Sequence, residues 1–153
     1  MIGKIALVTV LTDRVPEMVT FYRDVLGFAV ETASGEYVEL ASAGVRFAVC
    51  TRATMAEATG DPSYGETRRG QAFELAFPLA SPDEVDAAYA EVVAKGARGV
   101  KGPATMPWGQ RTAFIADPEG NIHELFADMA PASAERAATE GTGGTEGEEA
   151  RGG

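Results

Sequence analysis

The sequence predicts an α+β fold of two β-α-β-β-β modules whose sheets pair to form a cup. The order of strand-like and helix-like segments in the first half recurs in the second half, and a polar connection at 53–70 separates the two halves. One offset of 67 residues takes Leu7 to Glu74 and Tyr22 to Tyr89. A module of this kind covers one sheet face with its helix and leaves the other bare, so two bare faces together enclose a cup.

The first module is predicted over residues 3–52. Residues 4–11 are rich in β-branched side chains and are typical of a buried strand. A helix follows, with Pro16 in its first turn, apolar residues at three- and four-residue spacing, and Gly27 at its end. Three further strands are predicted between glycine-containing turns: Phe28–Thr32, Glu36–Ala41 and Val45–Arg52. The connection is expected to be a loop with one short helical turn at 55–59.

The second module is predicted over residues 71–128. A strand at 71–79 precedes the capping box Ser81-Pro82-Asp83-Glu84, which predicts the start of a helix. Lys95-Gly96 predicts where this helix ends. The remaining extended segments are a short piece at 98–101 and a hairpin of Gln110–Ala116 and Asn121–Ala127, closed by Asp117-Pro118-Glu119-Gly120.

Composition excludes several classes of function. The chain of 153 residues has a formal net charge of -10 and no basic cluster, which argues against nucleic acid as a partner. No apolar run approaches the ~20 residues of a membrane span, and no signal pattern opens the chain, so we expect a cytoplasmic protein without a membrane partner. One Cys excludes an internal disulfide, and one His excludes a two-histidine site within one chain. The acidic, glycine-rich residues 130–153 predict a disordered tail after a single domain at 1–129.

Three segments carry a resemblance to a known family. They are Phe-Tyr-Arg-Asp-Val-Leu-Gly-Phe at 21–28, Pro-Trp-Gly-Gln-Arg at 107–111, and Asp-Pro-Glu-Gly-Asn at 117–121 followed by Glu124-Leu125. Together they resemble the vicinal oxygen chelate (VOC) superfamily of glyoxalase I, bleomycin-resistance proteins and extradiol dioxygenases. The resemblance spans about residues 3–128 and implies the glyoxalase/bleomycin resistance-like fold. It also implies a homodimer and a small-molecule ligand.

Metal sites in this superfamily take one inward-facing side chain from each of four strands. The matching positions here are Leu7, Glu39, Glu74 and Glu124. Alternation along the strands favours an inward direction for the three glutamates, whereas leucine cannot bind a metal. Three carboxylates suit a hard ion such as Mg²⁺ or Mn²⁺ better than Zn²⁺, Ni²⁺ or iron, so we expect either no metal or one divalent ion. The histidine count excludes an extradiol dioxygenase.

The same glutamates have two other interpretations. Without a cation they would repel one another and raise at least one pKa, which makes Glu124 and Glu74 candidate catalytic bases. Alternatively, they form structural ion pairs with Arg46 or Arg111 on neighbouring predicted strands.

Aromatic and remaining polar residues complete the candidate site. By the resemblance, Trp108 and Tyr37 are candidate ligand contacts, and Arg111 is assigned to the same ligand-binding set. His123 should face away from Glu124 and is expected to be a core or interface histidine, and Cys50 is expected to be a small apolar filler.

These observations predict a small-molecule-binding protein of the glyoxalase/bleomycin-resistance type. In this hypothesis the chain lacks a standard transition-metal site, and its cup holds a planar or cationic ligand. The alternative is a glyoxalase I-like lyase or isomerase that uses a divalent metal to act on a carbonyl substrate. A third possibility is a metal-free enzyme with one glutamate as its base.

Overall fold

A computed structural model of the chain describes residues 4–66 and 69–129, so the predicted tail lies outside the described residues. It contains two four-stranded mixed sheets with helices, and the predicted α+β architecture is confirmed. Among the described residues, no helix is long and apolar enough to cross a membrane.

The first module forms one sheet and one helix. Its elements are β1 (Leu7–Thr12), α1 (Val15–Thr20), β2 (Val30–Ser34), β3 (Tyr37–Leu40) and β4 (Arg46–Thr51). The strand order is β1-β4-β3-β2, with β1 parallel to β4 and the other pairs antiparallel. Past Thr20, α1 continues as a wider π turn, Phe21–Val25. The chain leaves this turn at Gly27, whose φ of 82° is accessible to glycine but strained for other residues.

The connection between the modules is more ordered than its polar sequence predicts. It contains the helix α2 (Arg52–Thr59) and a 3-10 turn, Pro62–Gly65. The hydroxyl of Thr51 accepts a hydrogen bond from the backbone N–H of Thr54, so a side chain caps the first turn of α2. The predicted helical turn is therefore part of an eight-residue helix.

The second module repeats the arrangement of the first. Its elements are β5 (Leu75–Pro78), α3 (Pro82–Ala94), β6 (Arg98–Thr105), β7 (Gln110–Ala116) and β8 (Ile122–Asp128). The strand order is β5-β8-β7-β6, and β5 is parallel to β8. Ser81 caps α3 by accepting from Glu84 N, as predicted, although the Glu84 carboxylate accepts from Ala80 N, one residue earlier than the capping box implies. β6 is longer, and β5 shorter, than the sequence predicts.

Each sheet packs its helix-facing side into one core that both modules share. Side chains alternate across each strand, so the residues next to a core residue along the strand point to the opposite side of the sheet. We call this side the open face. Helix-facing core residues on the strands are Val10, Val38, Leu40, Phe47, Val49, Ala113, Ile115, Leu125 and Ala127. Open-face positions therefore include Thr9, Leu11, Tyr37, Glu39, Arg46 and Glu124.

A buried polar network joins the two modules. The hydroxyl of Tyr22, from the first module, lies 3.0 Å from Oδ2 of Asp117 and 3.0 Å from Nε2 of His123, both in the second module. Asp117 also accepts hydrogen bonds from the backbone and side-chain nitrogens of Asn121. His123 faces away from Glu124, as predicted, and of the two expected settings it occupies the core, where it is fully buried.

Burial works against the charged form of Asp117, but hydrogen bonds from His123 and Asn121 outweigh it and hold the pKa of Asp117 below its usual range. Burial, together with the charge of Asp117, raises the pKa of Tyr22. The network therefore holds an ionised carboxylate against a neutral phenol inside the core.

Candidate functional site

Glu39 occupies the open face of the first sheet, where a carboxylate was predicted, but its oxygens are already engaged. Arg46 donates from Nε to Oε1 at 2.5 Å and from Nη2 to Oε2 at 2.6 Å, and the Tyr37 hydroxyl donates to Oε2 at 3.0 Å. Glu39 is only 6% exposed. The hydrogen bonds from Arg46 hold the pKa of Glu39 below its usual range. The structure thus supports the structural ion-pair interpretation at this position.

Glu124 has a different environment on the open face of the second sheet. Its direct neighbours across the ladder are Ala76 on β5 and Phe114 on β7, and neither side chain can form a hydrogen bond with the carboxyl group. Partial burial raises the pKa of Glu124, and the negative charge of Glu74 raises it further. Glu124 is therefore the predicted site glutamate whose proton affinity the fold increases.

Substituting Glu124 with glutamine should stabilise the protein at pH 7. The native state binds this proton more tightly than the unfolded chain, so stability falls as pH rises above the ordinary glutamate pKa. We expect a higher urea midpoint for Glu124→Gln at pH 7 and a smaller difference at pH 4. Glu57→Gln, at an exposed site on α2, is the matched control. Equal midpoints for Glu124→Gln and wild type at pH 7 would contradict this account of the site.

The four positions that the resemblance assigns to a metal do not form a metal-binding group. Glu74 is exposed just before β5 begins, Leu7 is 38% exposed, and Glu39 is bound to Arg46. Within residues 4–66 and 69–129, no cluster of three or more His, Cys, Asp or Glu is arranged to hold a metal ion. The four assigned positions therefore do not supply the donor set of the superfamily's metal centre.

The predicted ligand-contacting residues have three different environments. The Arg111 side chain lies on the helix-facing side of β7 and forms two hydrogen bonds of 2.8 Å with Asp86 of α3, so it does not pair with the glutamates. Trp108 lies in the loop before β7 and is 60% exposed, with its indole N–H donating to Gln110. The hydroxyl of Tyr37 is engaged by Glu39.

A cavity apart from these residues lies at the junction of the modules and the connection. It encloses about 810 Å³, and we call it the junction cavity. Its walls are the open face of β1, the start of α2 with the 3-10 turn, the segment before β5, and the β7–β8 turn. The lining residues are Thr9, Leu11, Asp13, Arg52, Ser63, Tyr64, Gly65, Glu66, Gly70, Gln71, Ala72, Phe73, Glu119, Gly120 and Asn121. None of the predicted site residues is among them.

Hydrogen bonds fix one wall of the junction cavity. The Gln71 amide donates to Gly120 O at 2.9 Å and accepts from Ile122 N at 3.0 Å, which ties the segment before β5 to the β7–β8 turn. On the same side, Glu119 accepts from the Thr12 hydroxyl at 2.6 Å and from Arg14 Nε at 3.4 Å. The Gln71 contacts thus lie within the second module, and the Glu119 contacts with Thr12 and Arg14 cross between the modules.

The sequence does not predict this cavity, because its lining residues come from turns and from a connection whose polar composition predicts a loop. One signal was present in the sequence. Arg52 immediately follows a capping threonine, at a helix start where an acidic side chain is the usual preference.

Residues 4–125 match the family model of the Glyoxalase/Bleomycin resistance protein/Dioxygenase superfamily. The chain belongs to this superfamily. Among proteins with curated descriptions, none matches the chain significantly.

Solved structures of the same superfamily are similar to this chain. A glyoxalase/bleomycin resistance protein/dioxygenase from Nocardioides is 26% identical, with a TM-score of 0.76 over 98% of this chain and 91% of that chain. A family enzyme from Burkholderia phytofirmans PsJN is 22% identical, with a TM-score of 0.76 over 83% and 100%. A protein described as lactoylglutathione lyase from Agrobacterium tumefaciens is 22% identical, with a TM-score of 0.66 over 83% and 95%. At 22% identity, the latter two support the fold alone.

Proposed function

We propose that this VOC protein binds a small organic molecule in the junction cavity without a transition-metal centre. The observation that carries the proposal is the cavity itself. Its volume of about 810 Å³ lies within the range of small-molecule sites, roughly 300–1,000 Å³. Both modules and the connection contribute walls, so the site depends on the complete domain.

The geometry of the glutamates favours this proposal over a metal-dependent lyase or isomerase. A metal that polarises a substrate carbonyl needs several converging ligands and an open coordination position. Here a leucine occupies one ligand position and Arg46 engages the carboxylate at another. The similarity to the structure described as a lactoylglutathione lyase therefore supports the fold, but two of the four assigned positions in this chain offer no free metal ligand.

The proposal is tested by blocking the cavity. Chelator-treated wild type is screened by thermal shift against a panel of planar organic acids, amines and neutral rings, because a ligand that binds only the native state raises Tm. Ala72→Trp places a large side chain on the cavity wall, whereas Ala90→Trp, at an exposed site on α3, is the matched control. We expect stabilising compounds to lose their effect in Ala72→Trp and to keep it in Ala90→Trp. Compounds that act equally on both variants, or only after metal is added, would contradict the proposal.

A metal-free enzyme is the second candidate, and the raised pKa of Glu124 favours it. A carboxyl group whose pKa is raised toward neutral pH is a better general acid or base than a glutamate with an ordinary pKa. This candidate requires a substrate on the open face of the second sheet, beside Phe114. Saturable turnover that persists in chelator and is lost in Glu124→Gln would support it. Full activity in Glu124→Gln would exclude it.

The homodimer implied by the resemblance and the cytoplasmic location expected from composition stay predictions. Light scattering coupled to size-exclusion chromatography tests the first, with a mass near twice the 16.0 kDa chain as the expected result.

A further inference from the structure

We infer that the junction cavity selects a ligand that carries a carboxylate, and that Arg52 is the residue that recognises it. This inference rests on the proposed function, because it names the chemical class of the ligand in the same cavity. It differs from the cationic ligand that the net charge of the chain suggests.

The guanidinium of Arg52 is mostly buried and poorly paired. Its side chain is 22% exposed, lines the cavity, and has its ion pair at 3.8 Å, from Nε to Oδ2 of Asp13. That separation is too long for a hydrogen bond, and Asp13 is itself 75% exposed. A guanidinium has five N–H donors, so a mostly buried one needs acceptors. Among the described residues none is in place, which leaves these donors to water or to a ligand.

The position of Arg52 in the fold also favours an anionic ligand. It is the first residue of α2, next to the partial positive charge of the helix N-terminus, and the first turn of α2 contains no acidic side chain. A cation at this end of a helix is unfavourable for the helix itself. Together the guanidinium and the helix end create a positive corner in the cavity wall, where a planar carboxylate can accept two parallel hydrogen bonds.

The acidic residues that line the cavity do not form hydrogen bonds with the guanidinium N–H groups of Arg52. The carboxylate of Glu119 is already hydrogen-bonded by Thr12 and Arg14 on the opposite module. Glu66 is exposed, at the end of the 3-10 turn. Asp13 makes the one weak ion pair described above, so an incoming carboxylate with better geometry can replace it.

The rest of the ligand is indicated by two aromatic side chains in the lining. Tyr64 is half-buried in the 3-10 turn, and Phe73 contributes a partly exposed ring from the segment before β5. Aromatic walls favour a ring on the ligand through offset or edge contacts. The expected class is therefore a ring-bearing carboxylate.

The experiment compares three small probes of similar size by isothermal titration calorimetry. 4-Hydroxyphenylacetate is anionic, 4-ethylphenol is neutral, and tyramine is cationic. We expect the anion to bind the wild-type protein roughly tenfold more tightly than either other probe, as for one charge-assisted bidentate contact. Arg52→Gln should abolish this preference, and Arg52→Lys should restore only part of it, because lysine keeps the charge without the planar fork. Arg98→Gln, at an exposed site on β6, is the charge control and should retain the preference.

The outcomes separate this inference from the proposed function. Equal binding of the three probes, or tightest binding of tyramine, overturns the carboxylate assignment and leaves a binding cavity in place. Absence of 4-hydroxyphenylacetate binding at millimolar concentration also overturns it. An anion preference that survives in Arg52→Gln, with the circular dichroism spectrum unchanged, overturns the role of Arg52. If every stabilising compound of the thermal-shift panel raises the Tm of Ala72→Trp as much as that of wild type, the proposed function fails as well.

Discussion

Replacing Asp117 with alanine should lower the free energy of unfolding by about 3 kcal/mol, because buried donors on both modules lose their acceptor. The carboxylate accepts from the Tyr22 hydroxyl, from two nitrogens of Asn121, and lies 3.3 Å from Nε2 of His123. Asp117 and His123 are buried, so water cannot replace these hydrogen bonds without opening the core. Urea unfolding followed by circular dichroism measures the loss.

The matched control for this change is Asp128→Ala. Asp128 is exposed at the end of β8 and accepts one hydrogen bond from Gln110. Its removal should change stability by no more than ~0.5 kcal/mol. Similar losses for the two alanine variants would show that the Asp117 network does not hold the modules together.

Tyr22→Ala should be at least as damaging, with an expected loss of about 4 kcal/mol. The ring is fully buried and packs edge-on against Phe47, Phe21 and Phe28 at centroid distances of 4.9, 5.5 and 6.2 Å. Truncation leaves a cavity among these rings and also removes the hydroxyl from Asp117. Tyr22→Phe removes the hydroxyl alone and should cost about 1–2 kcal/mol.

The repeat in the sequence provides an internal control. Tyr89 corresponds to Tyr22 by the 67-residue offset, yet it is only half-buried on α3. Tyr89→Ala should therefore cost clearly less than Tyr22→Ala when both are measured by urea unfolding. A larger loss for Tyr89 would mean that the shared core is not centred on the first module's tyrosine.

The fold was predictable because its signals are local. Ser81 and Glu84 identified the start of α3, and alternation along β7 and β8 placed His123 on the core side of its strand. The same alternation placed Glu39 and Glu124 on the open faces. Arg111 shows the limit of this reasoning, since it was assigned to the ligand set although its position on β7 directs its side chain toward Asp86.

The site was less predictable because it depends on how separate segments pack together. Whether Glu39 is a free carboxylate is decided by Arg46, seven residues away on the next strand. The walls of the junction cavity come from four parts of the chain, including the β7–β8 turn that sequence analysis interpreted only as a turn. Periodicity describes one element at a time and carries no information about such a junction.

Metal content tests the central claim most directly. The untagged protein is purified without chelator, incubated with Mg²⁺, Mn²⁺, Ni²⁺ or Zn²⁺, desalted and analysed by elemental mass spectrometry, alongside Glu124→Ala. We expect far less than one ion per chain in both proteins, because Leu7 and the Glu39–Arg46 pair leave too few ligands. Close to one divalent ion per wild-type chain, lost in Glu124→Ala, would contradict it and support a metal-dependent lyase or isomerase.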